Sequence, residues 1–499
     1  MARATVFARA QVGMAAPRVT IETHLRGQGL PGLTMVGLPE TAVKEARDRV
    51  KSAITNSGFD YPFEHRIVVN LAPADLSKEG GRYDLAIAIS ILAASKQINN
   101  QRLGACEFIG ELGLFGKLRG VRGALCASTA TEKESRRLLL PWDNAAEVAR
   151  FKSDTIIGCT SLKEVCEYLH TGLPLQNQFT HKQAALRCPQ KKLLTDVIGQ
   201  HQAKRALLIA AVGGHHLLMM GPPGTGKTML ARRLCSLLPE LDRNTSLEVA
   251  TVYSAAGLEP PPMGTPPFRD PHHTASAPAL VGGGSIPQPG EVSLAHQGVL
   301  FLDELPEFSR QALNVLRQPL ESQKAVVSRA KARATFPAKF QLIAAMNPCP
   351  SGNVCKPDTC RCTPDQVRRY QGKVSGPLLD RIDLHVAVPP VPKSLLLQQR
   401  SAEQAPANET VQETRNRQIA RQGCLNADLD VAGVNKHCQL GVVSKKLAAL
   451  AIEKHGLSAR GFHKILKVAR TLADMENAEE LNEGHLSEAL AFRAMDWQP

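Results

Sequence analysis

The run His216-Leu-Leu-Met-Met-Gly-Pro-Pro-Gly-Thr-Gly-Lys-Thr228 opens as a buried strand and turns at a Gly-rich loop. Met229-Leu-Ala-Arg-Arg-Leu-Cys-Ser-Leu-Leu238 then continues with helical character. Within it Gly221, Pro222, Pro223, Gly224, Thr225, Gly226, Lys227 and Thr228 match G-x-x-x-x-G-K-[ST], the pattern of a phosphate cradle. Glycines let backbone N–H groups turn inward toward the α- and β-phosphates. Lys227 then brings a point charge to the β/γ oxygens, and the Thr228 hydroxyl is a ligand for Mg²⁺. The helix presents its N-terminus to the anion. Chance produces this pattern in a chain of such length at on the order of one or two per cent, so a plain Gly-rich turn is the weaker reading. The stretch predicts a strand, loop and helix of an α/β domain that binds a nucleoside triphosphate with Mg²⁺.

A chain of 499 residues exceeds what one core fills, and about three domains are expected. Residues 1–172 alternate apolar runs such as Arg66-Ile-Val-Val-Asn-Leu71 and Glu107-Phe-Ile-Gly-Glu-Leu112 with helical patterns, which predicts an α/β or α+β domain. Residues 173–192 read as a linker, 193–390 as the nucleotide domain, and 391–499 as a helical lid entered through a polar stretch at 397–425. In the lid, Phe462, Ile465, Leu466, Ala469 and Leu472 recur at helical spacing behind Ser458, a candidate N-cap. A net charge of +14 fits either a merely soluble basic surface or polyanionic partners, with nucleic acid the leading specific reading. The opening residues lack a signal-peptide pattern, and no apolar run nears the roughly 20 residues that span a bilayer, so a cytoplasmic location away from membranes is expected. Eight cysteines are scattered singly (Cys106, Cys126, Cys159, Cys166, Cys188, Cys235, Cys424, Cys438), which fits reduced thiols better than a disulfide framework.

Further along, Gly298-Val-Leu-Phe-Leu-Asp303-Glu304 is an apolar strand ending in two acids. Asp303 suits the Mg²⁺ shell and Glu304 the general base that polarises water. Phe340-Gln-Leu-Ile-Ala-Ala-Met-Asn347 is a second such strand, ending in an amide that can orient water as a sensor 1 residue. Ser375-Gly-Pro-Leu-Leu-Asp380-Arg381-Ile-Asp383 places an arginine between acids. It is either a local ion pair or an arginine finger for the γ-phosphate held by a neighbouring subunit. Arg460, in the first turn of the lid helix, opposes the macrodipole and so invites an anion, which suits a sensor 2 arginine touching bound nucleotide.

This ordered series, with Asp196-Val-Ile-Gly-Gln200 ahead of it, resembles the AAA+ ATPases. Phe268-Arg-Asp-Pro-His-His-Thr274, Gly282-Gly-Gly-Ser-Ile-Pro-Gln-Pro-Gly-Glu-Val-Ser-Leu-Ala-His296 and Ala344-Ala-Met-Asn-Pro-Cys-Pro350 narrow the resemblance to the magnesium-chelatase-like group, YifB/ComM family, over essentially the whole chain. The resemblance implies a hexameric, ATP-driven DNA helicase for branch migration in recombination and natural transformation. It also implies single-stranded or branched DNA, further subunits of the same chain and recombination proteins as partners. Two alternatives stay open: the motor subunit of a metal chelatase, and an ATP-dependent protease. Asn70-Leu-Ala-Pro-Ala-Asp-Leu-Ser-Lys78-Glu-Gly-Gly-Arg82-Tyr-Asp84 and Gly110-Glu-Leu-Gly-Leu-Phe-Gly-Lys117 resemble the Lon peptidase domain, implying a Lon-like α+β fold. Lon-type hydrolysis needs a serine with a lysine base. Arg82 falls at the serine position and Leu125 at about the lysine position, so the dyad is missing. Ser77 with Lys78 is a poor substitute, since neighbours on a strand point to opposite faces.

Two loops are candidates for gripping DNA. One is Val281–Gly290; the other is Val326-Val-Ser-Arg329-Ala-Lys331-Ala-Arg333-Ala-Thr335, where Arg329, Lys331 and Arg333 alternate and on one strand face would track phosphates without reading sequence. A solvated edge strand with protective cations is the bland reading. Cys349, Cys355, Cys360 and Cys362 fall in one short loop and either wrap a tetrahedral Zn²⁺ or remain reduced thiols. The C-P-C-G expected from the family is broken here by Ser351.

Overall fold

Strict alternation builds the first layer: in Arg18–Arg26 the residues Val19, Ile21, Thr23 and Leu25 are buried and their neighbours are not. The computed structural model describes residues 2–499 except 28–30, 38–39, 75, 77, 79, 152–154, 174–193, 285–286, 330–331, 353–361, 393, 395–407, 456 and 494–499. In the N-terminal domain seven strands lie in the order Gly32–Val36, Arg66–Ala72, Arg18–Arg26, Ala2–Arg9, Cys106–Phe108, Arg137–Pro141, Ile156–Cys159. Two antiparallel pairings occupy the middle and parallel ones the flanks, a mixed α/β arrangement. Asp84–Ala94 is a helix buried along its whole length, which accounts for its unbroken apolar run.

The nucleotide domain is an all-parallel sheet ordered Phe268–Arg269, Val299–Leu302, Gln341–Met346, Leu217–Met220, Leu384–Ala387. Strands Val299–Leu302 and Gln341–Met346 are buried at every residue, because helices cover both faces. Parallel strands end on the same edge, and that edge carries Gly221, Asp303 and Asn347.

The lid holds five helices, Asn408–Gln422, Val431–His437, Val442–His455, Ala459–Met475 and Glu483–Ala491, among the described residues. Ser458 caps Ala459–Met475 by accepting from Gly461 N, and Ile465, Leu466, Ala469 and Leu472 are buried. The polar stretch ahead of them is a correction to the sequence reading, since Asn408–Gln422 is a helix and not merely an approach to one. Two of its polar residues face protein: Arg415 Nε donates to Ala211 O at 2.8 Å and Gln418 Nε2 to Val212 O at 3.5 Å. They satisfy the open carbonyls at the end of helix His201–Gly213, so polarity there marks packing and not solvent.

Helix Arg243–Ala256 docks the N-terminal domain on the nucleotide domain. Ser254 O accepts from Gly123 N at 2.8 Å and Ser254 Oγ from Leu125 N at 3.3 Å, beside the apolar contacts of Ala250 and Ala255. The expected linker lies almost wholly outside the described residues. Cys106, Cys126, Cys159, Cys166, Cys235, Cys424 and Cys438 are free thiols, and no described helix is long and apolar enough to cross a membrane.

Candidate nucleotide site

Lys227 begins the helix Lys227–Leu237, and its ammonium is folded back over the loop. Nζ donates to Gly221 O at 2.7 Å, Pro222 O at 2.8 Å and Asn347 Oδ1 at 3.1 Å, so the cradle and the sensor strand meet at one cation. Burial lowers the Lys227 pKa below its usual value, opposed by Asp303 and Glu304. Gly224 and Gly226 have φ of +77° and +87°, and a Cβ on either would meet nothing within 4 Å. Backbone conformation therefore demands glycine there, and the space beside the loop stays open. Gly221 is different: a Cβ would lie 2.2 Å from Val388 O.

Thr228 Oγ1 donates to Asp303 Oδ2 at 2.6 Å. A hydroxyl and a carboxylate so close, at a helix N-terminus, are the oxygen donors a hard cation takes, so these residues fit Mg²⁺. Glu304 leaves the strand at φ 51°, in the left-handed region, with its N–H bonded to Asp303 Oδ1 at 2.9 Å. A non-glycine residue in that region costs on the order of 1 kcal/mol, a strain that collects at functional positions. The Glu304 carboxylate lies 3.3 Å from His273 Nδ1. His273 was not among the predicted site residues, although its segment was noted. Its only sequence signal is membership of that segment.

Arg381 and Arg460 come together elsewhere. Both donate through Nη2 to a single oxygen, Glu321 Oε1, at 2.5 and 2.7 Å. Hydrogen bonding from Arg460, then the charge of Arg381, holds the Glu321 carboxyl below its usual range. The loop that carries Arg381 is tied to the lid, with Lys464 Nζ donating to Arg381 O (2.7 Å) and to Asp383 Oδ1 (2.5 Å) and Arg493 Nη1 to Ile382 O (3.1 Å). The two arginines face a cavity of about 390 Å³ that no cradle residue, nor Asp303, Glu304 or Asn347, helps to line. Arg460 thus stands with Arg381 and away from the phosphate loop of its own chain. Glu321 was missed by sequence reasoning, because an acid on a surface helix carries no local signal.

The basic segment is a hairpin, Lys324–Arg329 against Ala332–Pro337. The expectation of a shared face does not hold. Ser328 pairs with Arg333 and Arg329 with Ala332, so the turn places positions 329 and 333 on alternate sides of the ladder. Arg333 belongs to the exposed side, opposite buried Ala325, Val327, Ala334 and Phe336; Lys331 lies outside the described residues. In the other candidate loop Gly282–Gly283 pairs with Gln288–Pro289. Of the cysteine cluster, Cys349 is buried with Sγ 3.1 Å from Ser351 Oγ, and Cys355 and Cys360 lie outside the described residues. No group of three or more metal-ligating side chains occurs among the described residues. In the N-terminal domain Arg82 is half-buried and Leu125 is buried. Lys78 is not on a strand; its Nζ donates to Pro73 O.

Profiles described as "Magnesium chelatase, subunit ChlI", "Subunit ChlI of Mg-chelatase" and "Magnesium chelatase, subunit ChlI C-terminal" match residues 193–396, 21–144 and 401–493. The competence protein ComM of Haemophilus influenzae is 48% identical over 503 residues, covering 99% of this chain and 98% of that protein. The chain belongs to the YifB/ComM family of magnesium-chelatase-like AAA+ ATPases. Another YifB/ComM relative, the protein YifB of Salmonella typhimurium, is 47% identical over 500 residues with the same coverage. Likeness to Lon protease 2 of Bacillus subtilis is partial, 31% over 157 residues, or 28% of this chain and 27% of that protein.

Proposed function

We propose that this chain is an ATP hydrolase that assembles as a ring, a hexamer, and moves single-stranded or branched DNA to drive branch migration in recombination and natural transformation. The observation that carries the reading is the split of the site: a complete phosphate cradle on one edge, and Arg381 with Arg460 around a separate cavity. Two halves that do not meet within one chain can meet between two. The Haemophilus relative is a competence protein by name, which supports DNA as the track.

In this reading Gly221–Thr228 hold the triphosphate and Lys227 leaves its carbonyl partners for the β/γ oxygens. Thr228 and Asp303 would hold Mg²⁺, which when bound would supply positive charge to offset that of the phosphates. Glu304 takes a proton from the water that attacks the γ-phosphorus, and ADP leaves as the β–γ bridge breaks. Asn347 orients that water. Arg381 and Arg460 exchange Glu321 for the γ-phosphate of the adjoining subunit, which offers more charge than one carboxylate oxygen shared between them. The chelatase reading shares this ATPase chemistry. The basic hairpin and the Lon-like domain favour DNA over it.

Mixing experiments test the shared site. Arg381→Ala subunits should bind ATP normally and lack hydrolysis when alone. Added to Lys227→Ala subunits they should recover part of it, because each mutant then completes the interface the other has lost. No recovery across mixing ratios would contradict a shared site.

A further inference from the structure

Where the N-terminal domain meets the nucleotide domain there is a cavity of about 320 Å³, walled by Gln11, Arg82, Glu111 and Arg122 from one side and by Ala255 and Gln288 from the other. Arg82 makes no ion pair among the described residues. Its Nη1 donates to the Gln11 side-chain oxygen at 3.1 Å and its Nη2 to Arg122 O at 2.6 Å, both neutral acceptors. Nε is buried without an acceptor among the described residues, and each Nη keeps a second N–H. The acids in the neighbourhood are committed elsewhere, Asp84 to Arg49 at 2.8 Å and Glu111 to Arg119 at 3.5 Å. Arg122 adds a second guanidinium at the rim, exposed and without an ion pair among the described residues.

A guanidinium removed from water is stable only when its donors are filled and its charge is balanced. Here Nε and one N–H on each Nη have no acceptor among the described residues, and the cavity lining holds two arginines, Arg82 and Arg122, with one carboxylate, Glu111. We propose that the cavity binds a small carboxylate- or phosphate-bearing molecule, held by Arg82 and Arg122. The planar fork of arginine matches both oxyanions, and the volume suits a small molecule. Burial also lowers the Arg82 pKa, a cost that a bound anion would offset. Where a Lon-type peptidase keeps its nucleophile, this chain keeps a cation, so the pocket binds and does not hydrolyse. Gln288 comes from the Gly282–Pro289 loop, so a ligand here touches both domains at once.

Titration calorimetry on the full chain tests this, using Lys227→Ala protein so that the phosphate loop does not contribute, at constant ionic strength. Inorganic phosphate and succinate are titrated separately. One saturable site per chain is expected for at least one of them, weakened about tenfold or more by Arg82→Gln and several-fold by Arg122→Gln. The probe that binds more tightly identifies the oxyanion class. Absence of a saturable site for both anions overturns the proposal, as does binding that both substitutions leave unchanged. If Arg82→Gln fails to fold, Arg122→Gln on the exposed rim decides alone: unchanged affinity refutes the site.

Discussion

In the proposed reading Lys227 and Glu304 divide the work between binding and chemistry, and each predicts a different defect. Lys227→Ala removes the cation that three oxygens now hold, and ATP binding and turnover should both fall to background. Near-normal turnover would refute the cradle. Glu304→Gln keeps the shape and the bond from its N–H to Asp303, so nucleotide should still bind while hydrolysis drops about 10²- to 10⁴-fold, as measured by phosphate release. The cradle, Asp303, Glu304 and Asn347 were legible because each closes a strand at a fixed local pattern. Glu321 and His273 were not. Glu321 meets Arg381 and Arg460 across separations of 60 and 139 residues, and only the fold brings such partners together.

At the scale of elements, the basic hairpin is anchored at both feet by one lid residue. Asp428 accepts from Gln323 Nε2 at 2.8 Å and pairs with Lys339 Nζ at 3.0 Å, just outside the two strands. A lid that shifts with nucleotide state therefore pulls on the hairpin through Asp428. Asp428→Ala should leave ATP turnover without DNA within about twofold and abolish its acceleration by DNA. Equal acceleration in mutant and parent would exclude this route. Neutralising Arg329, Lys331 and Arg333 together should weaken DNA binding and flatten the slope of log affinity against log salt by about 2, for three phosphate contacts on a single strand. An unchanged slope would take the hairpin out of the DNA path. The hairpin strands could be read from alternation, but their register could not: the residues at the turn decide which side positions 329 and 333 take. The helix Asn408–Gln422 escaped notice for a related reason, since its buried face carries Thr414 and Gln418 beside Val411 and so shows no apolar stripe.

Over the whole molecule, the contacts between the N-terminal sheet, the parallel sheet and the lid helices fit the assembly of one motor. Helix Arg243–Ala256 joins the N-terminal domain to the nucleotide domain, while Lys464 and Arg493 fasten the Arg381 loop to the lid. Lid and arginine pair would move together when a neighbouring site fills or empties. Such coupling gives hydrolysis a mechanical output, and the output needs a track. The most direct test is the rate of ATP hydrolysis by the purified chain with no DNA and with single-stranded, duplex and four-way-junction DNA, followed by resolution of a labelled junction. The account predicts severalfold acceleration by single-stranded or branched DNA and ATP-dependent separation of the junction that Lys227→Ala abolishes. Steady hydrolysis that no form of DNA accelerates, with the junction left intact, would contradict it.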